Sequence, residues 1–172
     1  MQNVKYDYSS CLVDVPSPLA NSIIKWGQLE VPDDDLYVTQ RDPTFGREDE
    51  IHITILYGIH SESSDKIKPI LAEFGPIKIE LGTVDVFTNP EKFDVVVIDV
   101  YSEDLKNINK ELKEQIKNTN RYPIYKPHIT IAYVKKRKGW KHRGIKKWEG
   151  KKFTCGHVNF SSKNGGKERI VL

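Results

Sequence analysis

One six-residue phrase occurs twice in this chain, and it restricts the fold more than any other feature. His52-Ile53-Thr54-Ile55-Leu56-Tyr57 returns 76 residues later as His128-Ile129-Thr130-Ile131-Ala132-Tyr133, with five of six positions identical. Both copies are rich in β-branched residues and read as strands. Side chains alternate along a strand, so His52, Thr54 and Leu56 should share one face and Ile53, Ile55 and Tyr57 the other. The second copy divides in the same way, which makes Tyr57 and Tyr133 packing residues. Each strand can bury its isoleucines and offer an imidazole and a hydroxyl to the opposite side. Two such strands side by side would line a cleft with two histidines and two threonines, groups suited to acid-base chemistry on a phosphate. A core strand has little reason to place a histidine at the same offset twice, which disfavours buried structural histidines.

The flanking sequence supplies alternating elements. Strands are expected at Ser9–Val15, Leu36–Thr39, Ile51–Ile59, Ile77–Phe87, Phe93–Tyr101, His128–Val134, Phe153–Phe160 and Arg169–Leu172. Helical spacing of apolar residues predicts helices over Ser17–Glu30, Ser64–Phe74 and Glu103–Lys117. Thr88 to Lys92 reads as the turn of a hairpin. Helices interleave with hairpin-linked strands, so the fold class is α+β. The repeat predicts two pseudo-symmetric lobes of mainly antiparallel sheet around a central cleft. No linker divides residues 1–172, and one domain is expected.

Charge is unevenly placed. Lys135 to Lys152 holds ten Lys or Arg and one acid, whereas Asp33 to Glu50 holds seven acids and two arginines. The basic tract also contains Trp140 and Trp148. Cations interleaved with aromatics suit nucleotide phosphates and bases, although a lysine-rich solvated loop would look the same. No apolar run reaches membrane-spanning length, and Asp7 and Asp14 interrupt any signal-peptide pattern. Cys11 and Cys155 lack metal-type spacing and read as reduced thiols. A cytoplasmic location is expected.

Two histidines could begin a zinc site, but a third protein ligand is not evident in the spacing. The motifs His52-Ile53-Thr54 and His128-Ile129-Thr130 resemble those of the 2H phosphoesterases, the superfamily of the LigT-like 2′,3′-cyclic phosphodiesterases. The resemblance implies helices outside a V-shaped cleft, and phosphodiester cleavage with His52 and His128 as acid and base in either order. Thr54 and Thr130 would steady the phosphate, and neither metal nor cofactor is required. A narrower resemblance runs to the phage anti-CBASS phosphodiesterases, which degrade cyclic oligonucleotide signals. It rests on Gly46-Arg47-Glu48-Asp49-Glu50 before the first motif, on Gly58 after it, and on Ile24-Lys25-Trp26-Gly27 in the first helix. The substrate is then a cyclic oligonucleotide cut at 3′–5′ bonds, or an RNA 2′,3′-cyclic phosphate or 2′–5′ link. A nucleotide-binding module without turnover is the rival from another class. Tyr8, Arg47, Trp140 and Trp148 are the candidate substrate contacts. Tyr8 is placed either at the cleft mouth or capping the sheet. Arg47 either clamps a phosphate or pairs with Glu48, Asp49 or Glu50. His60, His142 and His157 lack a threonine two residues on and read as surface or structural. No membrane and no obligate protein partner is implied.

Overall fold

The structure is a computed structural model that describes residues 6–90 and 92–172; Glu91, in the expected hairpin turn, lies outside them. Among the described residues eight strands form one sheet: β1 (Ser9–Asp14), β2 (His52–Ile59), β3 (Ile77–Thr88), β4 (Phe93–Tyr101), β5 (His128–Lys135), β6 (Lys152–Cys155), β7 (His157–Ser161) and β8 (Lys167–Val171). Their order is β6-β3-β4-β5-β2-β1-β7-β8, and every pairing is antiparallel. The two motif strands, β2 and β5, are central. They pair at Ile53↔Ile129 and splay on either side, so the sheet divides into two four-stranded lobes hinged at the repeat. Gly156 alone separates β6 from β7, near opposite ends of the order. The sheet is therefore curled until its ends approach.

One face of the sheet packs the core and the helices. Helix α1 (Ser17–Glu30) begins with Pro18 in its first turn, where the missing N–H costs nothing. Helix α3 (Glu103–Gln115) is capped by Ser102, whose Oγ accepts from the Leu105 amide, with Glu103 and Asp104 in its first turn. Its buried face carries Leu105, Ile108 and Leu112, and buried Asn109 donates to the Ile55 carbonyl. The helix expected over Ser64–Phe74 shrinks to one turn, α2 (Lys68–Leu71). Pro69 fits only the first turn of a helix, so a helix cannot start at Ser64. The strand expected at Leu36–Thr39 is a single bridge, Leu36↔Val134. It lies with the Arg47↔Ala132 bridge along the β5 edge that β2 vacates as it splays. Among the described residues no helix is long and apolar enough to cross a membrane.

Candidate active site

The Ile53↔Ile129 register sets the motifs crosswise. In an antiparallel pair it places His52 opposite Thr130 and Thr54 opposite His128. The histidines thus occupy one diagonal of a rectangle and the threonines the other. Each imidazole is anchored alike: Nδ1–H of His52 donates to the Glu50 carbonyl and that of His128 to the Lys126 carbonyl, both at 2.8 Å. A carbonyl can only accept, so Nδ1 carries the hydrogen and Nε2 of the neutral ring keeps its lone pair.

The repeat runs deeper than the phrase. β1 and β4 are the outer neighbours of β2 and β5, and each sets an aspartate in register with a motif histidine: Asp14↔His52 and Asp99↔His128. Leu12↔Thr54 and Val97↔Thr130 correspond too. The signal is present in the sequence as Leu12-Val13-Asp14-Val15 against Val97-Ile98-Asp99-Val100, but it is too degenerate to stand out unaided. A β-bulge recurs as well. One residue is extra in each motif strand, between the Leu12↔Thr54 and Cys11↔Leu56 pairs and between Val97↔Thr130 and Val96↔Ala132. Past the bulge the alternation reverses. Leu56 and Ala132 are buried in the core, and Tyr57 and Tyr133 turn to the histidine face. The period-two expectation for Leu56, Tyr57 and Tyr133 is corrected on this point.

Electrostatics break the symmetry. Burial would raise Asp14, but hydrogen bonds from His157 and Asn159 outweigh it and hold the carboxyl below its ordinary range. The His157 Nε2 lies 2.7 Å from Asp14 Oδ2, and Arg169 stands 3.7 Å away. Asp99 is raised by burial and by Asp85, with Lys126 opposing. Burial lowers the His128 pKa and the facing His52 adds to this, against the Lys126 hydrogen bond. The Phe87 ring meets the His128 ring edge-on, with centroids 4.7 Å apart. Tyr125, just before β5, donates its phenol to the Thr54 carbonyl at 2.9 Å and ties the first motif to the segment that leads into the second. Sequence periodicity pointed to neither aromatic residue. Among the described residues no three His, Cys, Asp or Glu side chains converge as a metal site would require.

A family model described as the 2′-5′ RNA ligase superfamily matches residues 15–167. The chain belongs to that superfamily. It is the 2H phosphoesterase group that the paired motifs resemble. An RNA 2′,3′-cyclic phosphodiesterase of Methanocaldococcus jannaschii is 33% identical over 92 residues, 51% of this chain and 53% of that protein. The chain thus spans about half the length of the curated relative it matches. Usb1 of Kluyveromyces marxianus shares the fold with a TM-score of 0.58 at 12% identity, over 98% of this chain and 100% of that one. E. coli LigT, solved with 3′-AMP, gives 0.57 at 15% identity, over 96% and 94%.

Within this 2H phosphoesterase fold the four expected substrate contacts fare differently from the motif residues. Trp148 is 1% exposed and packs edge-on against Trp26 of α1, so it is a core residue and touches no substrate. Arg47 lies on the helix side. It donates to the Gly27 and Val31 carbonyls and pairs with Asp33 at 2.6 Å, which leaves no fork for a phosphate and replaces the expected partners 48–50. Trp140 is 52% exposed, but Gly139 beside it packs on Val86, Val96 and Val134, the face opposite Thr130. Tyr8 stacks on His60 and meets Tyr57 edge-on, next to the Ser9↔Ile59 pair. Tyr57 is three residues along β2 from Thr54, roughly 10 Å at strand rise, so Tyr8 stands toward the end of the sheet on the histidine side. His142 is buried against Trp26, and His157 is structural through Asp14. Glu48, next after Arg47, is pushed up to about 7 by burial with Asp49 and Glu50 beside it, and it acts on Tyr133 of the histidine face.

Proposed function

We propose that this 2H phosphoesterase hydrolyses 2′,3′-cyclic phosphates at RNA ends, with His128 as base and His52 as acid. The observation that carries the reading is the crosswise His/Thr rectangle with both Nδ1 atoms anchored to backbone carbonyls. The M. jannaschii relative's activity supports the substrate class. A base must be neutral at working pH, and the lowered proton affinity of His128 suits that role. His128 Nε2 takes a proton from water as the water oxygen bonds to phosphorus. The bond from phosphorus to one ribose oxygen breaks, and His52, which enters the step as the imidazolium with hydrogen on both nitrogens, delivers its Nε2 proton to that oxygen, leaving a phosphomonoester and a neutral His52. The Thr54 and Thr130 hydroxyls donate to the non-bridging oxygens, where charge accumulates. Run with exchanged roles, the same pair would let a ribose 2′-hydroxyl attack a 3′–5′ link, so a cyclic oligonucleotide is the second substrate to test.

The experiment offers 2′,3′-cyclic nucleotides, a cyclic-phosphate-ended RNA and 3′–5′ cyclic dinucleotides in EDTA and resolves the products. Turnover of the first two is expected, with His52→Ala and His128→Ala each slower by about 10²–10⁴-fold. Rates in both variants within a few-fold of wild type would refute the site. Cleavage confined to cyclic dinucleotides would instead select the cyclic-signal reading.

A further inference from the structure

The two aspartates that flank the motif histidines are equivalent by pseudo-symmetry, yet only one is satisfied. Asp14 is bound by His157 and Asn159 and faced by Arg169. Asp99 forms no hydrogen bond or ion pair among the described residues, although it is half-buried. An ionised carboxylate can only accept hydrogen bonds, and one left unpaired while partly desolvated is costly. It also repels a phosphate. One strand spacing beyond His128, about 4.8 Å, its fitting partner is a donor carried by another part of the substrate.

An aromatic face stands beside it. Tyr101 follows Asp99 on the same side of β4 and is 59% exposed. Its ring lies across Gly82 of β3: a Cβ at Gly82 would come within 2.8 Å of Tyr101 Cε2 and 3.1 Å of Asp99 Cβ. Glycine at 82 therefore lets the ring settle against the strand beside the carboxylate. A solvent-facing ring adjoining an unpaired acceptor provides stacking and edge-reading together.

We infer that Asp99 and Tyr101 form a base-reading subsite that selects guanine on the nucleotide whose phosphate lies between the motif histidines. Guanine presents two adjacent donors, N1–H and the N2 amino group, which match the two carboxylate oxygens. Adenine and cytosine set one donor beside an acceptor, and uracil sets its one donor between two acceptors. The inference rests on the phosphodiesterase reading for the placement of the phosphate, but it can be tested without turnover.

Two measurements test it. Among the 2′,3′-cyclic mononucleotides, the guanosine compound should have the highest kcat/KM, about 10–100-fold above the uridine compound. Asp99→Asn, which keeps the shape, should erase that advantage by raising the guanosine KM, bringing the guanosine and uridine compounds within about 3-fold of each other. Titration with 3′-GMP and 3′-UMP should show the same preference in wild type and its loss in Asp99→Asn. Equal affinity of wild type for the two nucleotides, or an equal loss for both in the variant, would overturn the subsite. Selective 3′-GMP binding without turnover of any cyclic nucleotide would retain the subsite and refute the phosphodiesterase reading instead.

Discussion

An imidazole shielded from water takes up a proton less readily, and the Phe87 ring is part of the shield at His128. Phe87 covers the ring edge, and His52 faces it. In the native state the proton therefore leaves below the ordinary histidine value of 6.5. The unfolded chain binds that proton first as pH falls, so stability from this group is complete above about 6.5 and declines below it. Under the proposed roles the rate follows a related rule, because His128 is lost as a base when pH falls through its native value. The acid limb of kcat/KM should thus bend below 6.5. Phe87→Ala, which opens the ring to water, should move the bend upward, and the NMR titration of the His128 Cε1 proton should move with it. A bend that stays in place in Phe87→Ala would mean that Phe87 does not set the proton affinity of His128.

At the scale of elements, the repeat is a unit of two strands, and only half of that unit was legible in the chain. The phrase showed β2 and β5, their isoleucines in the core and the pairing of histidine with threonine, because a strand's alternation belongs to its own residues. The bulge depends on the partner strand. Nothing within Ile55-Leu56 states that one of them will lack a mate on β1, so simple alternation puts Tyr57 and Tyr133 on the wrong face. The aspartates were hidden for a similar reason, since their significance is a cross-strand register. Tyr125 is also invisible to periodicity, yet it braces a junction that holds one residue pair. Tyr125→Phe removes the donor to the Thr54 carbonyl. It should cost about 1–3 kcal/mol in denaturant unfolding. It should also lower kcat more than it raises KM, because the first motif loses its brace toward the second. Unchanged kcat with reduced stability would restrict Tyr125 to a structural role.

Across the whole molecule, half of the basic tract is matched by acids of the same chain. Five of the tract's ten cations pair in this way. Lys138 and Lys141 face Asp35, Lys136 and the Arg137 amide meet buried Asp94, Arg143 pairs with Asp85, and Lys152 with Glu80. Trp148 fixes the tract to α1, and the Leu81 and Val84 backbone pairs with it along the outer edge of β3. The tract covers core and sheet edge, work that a third long helix would otherwise do. Composition could not reveal this, because a run of lysines looks the same whether its counterions are acids of the same chain or phosphates of another. Substrate affinity should then depend weakly on salt. The slope of log KM against log salt for a cyclic-phosphate-ended RNA should have a magnitude of about 1–2, the count of phosphates held in the groove rather than along the tract. Lys138→Gln with Lys141→Gln strands the Asp35 carboxylate, which Lys141 holds below its usual range. That pair of substitutions should lower Tm by about 2–6 °C and leave the salt slope unchanged. A slope of about 4 or more that falls by about 2 in the double variant would return the tract to the substrate and place an RNA strand on the helix-bearing face.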